Sequence, residues 1–203
     1  MCSSDLALAL HPSVPATTIP QLVAHAKANP GKLSFASAGV GTSAHLAGEM
    51  FKQMAGVNVV HVPYKGGGPA LNDLLAGQVA YMFGGISGLA PHAQTGKVRI
   101  LGVTGSVRSQ VASNVPTVAE AGFPGYAADA WTGFFSPAAL PAAIVKRWNT
   151  EVNRTIETPE VKAMFLKGGN EPRAMTVDQF KKQVIDDNRK WGQIIKNGNI
   201  KVE

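Results

Sequence analysis

Lys32-Leu-Ser-Phe-Ala-Ser-Ala-Gly-Val-Gly-Thr-Ser-Ala-His45 continues into Leu46-Ala-Gly-Glu-Met-Phe-Lys-Gln-Met-Ala-Gly56. The stretch reads as a strand over Leu33–Ser37, a glycine-rich turn, and a helix over Ala44–Ala55 closed by Gly56. Ser37, Thr42 and Ser43 place hydroxyls around the turn. A helix that starts directly after such a turn aims free backbone N–H groups and the positive end of its dipole at one spot. An anion is held there without a charged side chain. Nothing in the stretch pairs a nucleophile with a base: Ser43 and His45, two residues apart in a first helical turn, point in different directions. The local chemistry therefore points to binding of an anionic small molecule rather than to a reaction on it.

Working outward, the same strand–glycine–helix unit recurs. Leu6–Leu10 is a candidate strand, broken by His11-Pro-Ser-Val-Pro15, and Thr18 caps a short helix to Ala28 with Pro20 in its first turn. Val57–Val62 alternates β-branched residues, and Pro63–Pro69 is a loop before a helix over Ala70–Ala76. Val79–Phe83 is a strand running into Gly84-Gly85, Ser87–Gln94 suits a helix, and Val98–Thr104 is a further strand. Alternating β and α at this spacing predicts an α/β fold with a parallel or mixed sheet flanked by helices. In such sheets ligands bind at the carboxyl ends of strands. The corners at Ala38–Ser43, Tyr64–Pro69 and Gly84–Ser87 would then share one anion pocket.

The tail is organised differently. Val115–Gly122 reads as a short helix capped by Thr117, and Ala130–Phe135 as an aromatic strand whose Trp131, Phe134 and Phe135 belong to the core. Ala142–Glu157 is amphipathic, with Ile144, Val145, Trp148, Val152 and Ile156 along one stripe. A second helix opens at Thr158 and ends at Gly168-Gly169. The last begins with a capping box, Thr176 and Gln179, and runs to about Asn197.

Bulk composition narrows the function classes. Of 203 residues, 16 % are charged, below the roughly 25 % of an average domain, and the net charge is +6. The basic residues are scattered along the chain rather than gathered on one helix, so nucleic acid is not an expected partner. Cys2 is the sole cysteine, which excludes an internal disulfide and a cysteine-based metal site. No apolar run approaches the ~20 residues of a membrane span. Met1–Asp5 lacks the basic and apolar regions of a signal peptide and reads as an appended scar, with the natural chain beginning further upstream.

Site by site, the candidates other than Lys65 are uncharged. Gly39-Val-Gly-Thr-Ser-Ala44 fits a dinucleotide pattern, but the next strand ends in Val60-His-Val-Pro-Tyr64 without the acidic residue that holds a ribose. No P-loop is present. His45 and Glu49 share a helix face at i, i+4 without a third metal ligand, so a surface or pocket-rim hydrogen-bonding role is expected and no metal or cofactor is called for. His45, in the first helical turn, is expected neutral. Ser37, Gly39, Thr42, Ser43, Tyr64, Lys65 and Gly66 are the expected ligand contacts, and His45 orients the turn. The alternative from a different class is an α/β enzyme that takes a phosphorylated substrate or cofactor at the Gly39–Ala44 turn. The effector-sensing module of a transcription regulator would need an N-terminal helix-turn-helix, which nothing before Leu10 supplies.

The order of motifs resembles a known family. Gly39-Val-Gly-Thr-Ser-Ala-His45, Val62-Pro-Tyr-Lys-Gly-Gly-Gly-Pro-Ala70, Ala76-Gly-Gln-Val79, Gly96-Lys-Val-Arg99, Val115-Pro-Thr-Val-Ala-Glu-Ala-Gly122 and Trp131-Thr-Gly-Phe-Phe-Ser-Pro137 look like the substrate-binding proteins of tripartite tricarboxylate transporters, the Bug family. They match in order and spacing from about Leu8 onward. Ala80 departs from the pattern, standing where the family usually has Asp. The resemblance implies a type II periplasmic-binding-protein-like fold of two lobes, each with a mixed sheet flanked by helices. It implies closure on a small carboxylate in Venus-flytrap fashion, delivery to membrane permease subunits, a periplasmic location, a monomer, and no enzymatic activity. Lobe two would span 11–125. Lobe one would be incomplete, made of 1–10 and 126–203, because the family's Trp-Pro-x-Gly-Gly loop and the first half of that lobe have no counterpart here.

Overall fold

A computed structural model describes residues 2–4, by their backbone alone, and 6–201. The expected α/β alternation is present. Strand β1 (Cys2–Ser4) is followed by β2 (Leu6–Leu10), α1 (Ile19–Ala28), β3 (Ser34–Ser37), α2 (Ser43–Ala55), β4 (Val60–Pro63), α3 (Gly67–Leu75), β5 (Tyr81–Gly85), α4 (Ile86–Gln94) and β6 (Arg99–Val103). Then come β7 (Ala130–Thr132), α5 (Ala142–Ile156), α6 (Pro159–Lys167), β8 (Asn170–Pro172) and α7 (Val177–Asn197).

The larger sheet has the order β4-β3-β5-β2-β6. Strands β4, β3 and β5 are mutually parallel, and β2 runs antiparallel to both β5 and β6. The carboxyl ends of β3, β4, β5 and β6 therefore all lie along one edge. Every residue of β2 is buried, as befits a strand covered on both faces. Its side chains alternate between two cores. Leu6, Leu8 and Leu10 join Phe35, Phe51, Tyr81, Phe83, Ile19 and Leu22 under α1 and α2. Ala7 and Ala9 join Met82, Ala70, Leu74, Ile86 and Leu89 under α3 and α4. Each fully buried large side chain contributes about 1.5–3 kcal/mol, so these two layers fix the position of the edge between them.

The smaller sheet, β7-β1-β8, is antiparallel in both pairings, so the mixed sheet is the larger one. Leu6–Leu10, expected with 126–203, pairs with β5 along its whole length and with β6 over Ala7–Leu10, so it lies in the larger sheet and not in the smaller one. The crossing points are tied together by Thr104. Its N–H donates to the carbonyl of Leu6 at 2.9 Å, and its carbonyl accepts the N–H of Ala128 at 2.8 Å. The Thr104 hydroxyl lies 3.2 Å from Leu6 O and 2.9 Å from Ala128 O.

Other elements depart locally from expectation. Val115–Gly122 forms a capped turn rather than a helix. Thr117 and Glu120 exchange cap hydrogen bonds, but Val118 N–H is held extended against Val103 O and Gly122 breaks the chain at φ 112°. Helix α3 begins at Gly67, three residues before Ala70, because Pro69 falls in its first turn, where a missing N–H costs nothing. The aromatic strand stops at Thr132. Phe134 and Phe135 are 75 % and 69 % exposed and are not core residues. With Leu140, Val145, Trp148 and Phe180 they line an apolar groove of about 830 Å³ against α5 and α7. The capping box at Thr176 and Gln179 starts α7 as the sequence indicates. Its far end returns to the larger sheet, where Trp191 and Ile194 pack on the α2-side core and Gln53 Nε2 donates to Ile194 O at 2.9 Å.

Candidate functional site

The three glycine-rich corners lie on the same sheet edge. Each joins the carboxyl end of a parallel strand to a helix: β3 to α2, β4 to α3, β5 to α4. The first two are also hydrogen-bonded to each other. Tyr64 N–H donates to Ser37 O at 3.0 Å and Gly66 N–H to Ala38 O at 3.1 Å, which extends the β3–β4 ladder into the loops. Gly39, at φ 139°, allows this approach, since a Cβ there would stand 3.3 Å from the Tyr64 carbonyl. The third corner is met from the other sheet, because Gly169 packs so tightly on Ser87 that a Cβ would lie 2.7 Å from the Ser87 Cβ.

These corners present backbone donors. The first N–H groups of a helix have no intrahelical acceptor. In α2 the Thr42 Oγ1 accepts the His45 N–H at 3.4 Å, leaving those of Ser43 and Ala44 without an intrahelical acceptor. Helices α3 and α4 have glycine caps, Gly66 and Gly85, with no side-chain cap bond. Three helix N-termini thus lie side by side along one edge, each contributing a partial positive charge.

Three of the hydroxyls at these corners form hydrogen bonds within the chain. Ser37 is fully buried; its Oγ accepts the Gly39 N–H at 3.2 Å, donates to Gly39 O at 3.1 Å, and lies 2.7 Å from His61 Nε2. Thr42 Oγ1 donates to Gly39 O at 2.7 Å. Tyr64 donates its hydroxyl to Asp73 Oδ2 at 2.6 Å, and burial together with the Asp73 carboxylate pushes its pKa up to about 12. These three side chains shape the corners from behind. Ser43 and Lys65 are exposed on them.

His45 and Glu49 are buried, at 4 % and 7 % exposure, rather than on a surface or pocket rim. The turn and the chain's aromatic residues close over them. Gly41 N–H donates to His45 Nδ1 at 3.0 Å, so this ring carries its proton on Nε2 when neutral. Its Nε2 stands 3.9 Å from Glu49 Oε1, which pairs with Lys52 Nζ at 2.7 Å. Burial lowers the His45 pKa below its usual 6.5, with Glu49 opposing and Lys52 adding to the shift, in line with the expected neutral ring. Sequence reasoning passed over His61. Its ring stacks on His45 with centroids 3.8 Å apart and 13° between planes, and on Phe35 at 4.7 Å. Its pKa falls to about 4 through burial, the neighbouring His45 and Lys52. The signal was the strand alternation: Val60 and Val62 share one face, while His61 shares the other with its register partner Phe35.

Two cavities lie away from this edge. One is the apolar groove beside α5 and α7. The other, about 660 Å³, sits at the opposite edge around Arg99, whose guanidinium donates to the carbonyls of Pro12, Val14 and Ala16. Among the described residues no cluster of three or more His, Cys, Asp or Glu is placed to hold a metal ion, and no helix is long and apolar enough to cross a membrane.

With this geometry in place, comparison with known proteins is specific. The sequence profile described as "Tripartite tricarboxylate transporter family receptor" matches residues 1–200. The "UPF0065 protein in tcbD-tcbE intergenic region" of Pseudomonas sp. (strain P51) is 40 % identical over 182 residues, covering 87 % of this chain and 53 % of that protein. Among solved structures, "R. palustris Rpa4515 with adipate" superposes with a TM-score of 0.85 at 30 % identity, over 98 % of this chain and 67 % of the other. "MatC (Rpa3494) from Rhodopseudomonas palustris with bound malate" gives a TM-score of 0.79 at 27 % identity, over 96 % of this chain and 67 % of the other. The chain thus spans about half the length of that curated relative.

Proposed function

Because the chain belongs to the tripartite tricarboxylate transporter receptor family, we propose that it is an extracytoplasmic solute-binding protein whose ligand is a small carboxylate. The observation that carries this reading is the alignment of three helix N-termini on one edge of a parallel sheet, where backbone N–H groups serve an anion without a counter-charge. Ser43, Ala44, Gly67, Gly68 and Ser87 supply the nearest donors in this account. Gly39 lets the corners meet, Lys65 adds positive field at the rim, and Ser37, Thr42, Tyr64 and His45 hold the loops. Residues 6–125 form the ligand-loop lobe, and the smaller sheet with α5, α6 and most of α7 belongs to the second. Bridging water completes the contacts where carboxylate and amide do not meet directly. The carboxylate passes to membrane permease subunits after periplasmic capture by a monomeric receptor, and no step in this cycle alters it chemically.

The ligands named for the two structural neighbours, adipate and malate, are the first probes. Calorimetric titration with each tests the reading, using Ser43→Pro as the directed variant. Ser43 is the first residue of α2, where proline fits a helix, and Thr42 before it already has the extended conformation that proline favours, at φ −69° and ψ 159°. The variant therefore removes one N–H and one hydroxyl without unwinding the helix. Saturable binding weakened about tenfold or more by Ser43→Pro is expected, the range for losing one or two hydrogen bonds to a charged group. Equal affinity of both proteins would remove the α2 N-terminus from the site.

A further inference from the structure

Beneath the first corner lies a column of rings that the anion-binding reading does not itself require: Tyr81, Phe35 and His45, which are buried, and His61, which is half-buried. It ends on the Gly39–Thr42 turn, which it meets through two nitrogens. His45 Nδ1 accepts the Gly41 N–H at 3.0 Å, and His61 Nε2 lies 2.7 Å from Ser37 Oγ, the hydroxyl that accepts the Gly39 N–H. We propose that His45 and His61 are positioning residues that hold the Gly39–Thr42 turn in its anion-binding shape, and that proton uptake by His45 releases the turn.

The argument is one of donors and acceptors. Neutral His45 has a single acceptor nitrogen, and the Gly41 N–H occupies it. Protonation converts Nδ1 into a second donor facing that same N–H, so the bond is lost and two donors oppose each other. Gly41, at φ 77°, has no other hydrogen bond to keep it in place among the described residues, and this tip of the turn is free to swing. Other groups facing the pair set where this happens. From α2, Glu49 favours the proton on His45 and Lys52 opposes it. From β4, the His61 ring lies flat against His45, so a second positive charge on the pair is unfavourable. From β3, Phe35 and buried Ser37 exclude water, and from β5 the Tyr81 ring stacks behind Phe35. The pair is consequently kept neutral at neutral pH, and acidification is what disturbs it.

This inference rests on the carboxylate-binding reading for its consequence, ligand release in acid, but the turn itself can be observed without ligand. In 15N-labelled protein, ring-nitrogen shifts report the tautomer and titration of His45, and amide exchange reports the turn. Between pH 7 and pH 4 the protection factor of the Gly41 amide should fall at least tenfold as His45 titrates, while that of Phe83 in the core stays constant. In His45→Gln, an uncharged side-chain acceptor replaces Nδ1, and Gly41 protection should become independent of pH. Gly41 protection that stays unchanged through the His45 titration in the unmodified chain would overturn the proposal, and so would an unaltered pH dependence in His45→Gln. Parallel titration with adipate and malate separates the two claims: a turn that responds to pH in a protein that binds neither acid supports the positioning role and counts against the carboxylate reading alone.

Discussion

Gly66 donates its backbone N–H to the carbonyl of Ala38 at 3.1 Å, so the two loops that leave β3 and β4 are one continuous piece of hydrogen-bonded structure. The approach depends on Gly39, where a Cβ would press to 3.3 Å on the Tyr64 carbonyl at a φ of 139°. Gly39→Ala is expected to separate the loops, lowering stability by about 1–3 kcal/mol, the cost of a strained backbone position. It should also weaken adipate or malate binding more than it weakens the fold. Urea denaturation alongside calorimetry checks both effects.

Helix α2 sits close on the sheet because Gly48 faces Phe35. A Cβ on Gly48 would lie 2.2 Å from the Phe35 ring, and the ring is locked between His61 and Tyr81. Gly48→Ala is expected to cost about 1–3 kcal/mol by overpacking, despite the better helix propensity of alanine. A urea midpoint equal to or above that of the unmodified chain would show that α2 is not held at this distance.

Two buried tyrosines should respond oppositely. Tyr126 donates its hydroxyl to Ala47 O at 2.9 Å, whereas the Tyr81 hydroxyl has no partner among the described residues. Tyr126→Phe should destabilise by about 0.5–1.5 kcal/mol, the net worth of a hydrogen bond. Tyr81→Phe should be neutral or stabilising, since it removes a desolvated hydroxyl that gains nothing in return. Thermal unfolding of the pair gives the comparison.

Much of this architecture was legible from residue pattern. The alternation of strands and helices from Leu6 to Val103, the caps at Thr18 and Thr176, and the glycines at the corners follow from local rules of spacing and conformation. Antiparallel placement of Leu6–Leu10 between β5 and β6 was not legible, because a five-residue apolar strand carries no record of its neighbours. The glycine-rich corners were legible as strand-to-helix junctions, whereas the hydrogen-bond partners of their hydroxyls were not. Ser, Thr and Tyr at a turn look the same in sequence whether they face a ligand or, as at Ser37, Thr42 and Tyr64, bond back to the chain. Likewise Phe134 and Phe135 are apolar enough for a core, but burial depends on what packs against them, and they line an open groove.

Stability should decline with acid in a window set by the two stacked histidines. Their folded-state pKa values lie below 6.5, His61 at about 4, so between these values the unfolded chain binds more protons than the folded one. Stability is thus fully present above about pH 6.5 and falls as the pH drops through 6 and 5, with the His61 contribution exhausted below about 4. Urea midpoints from pH 7.5 to 4 should show this slope, and His61→Phe, which keeps a stacked ring without a titrating group, should flatten it.

The corner that gathers three helix N-termini is tested most directly by the amides themselves. In a 15N-labelled sample titrated with malate and then adipate, the N–H signals of Ser43, Ala44, Gly67, Gly68 and Ser87 are predicted to move together along one saturation curve, while those around Arg99 at the opposite edge stay fixed. Independent curves for the three corners, or shifts that spare all of them while an acid binds, would contradict the account.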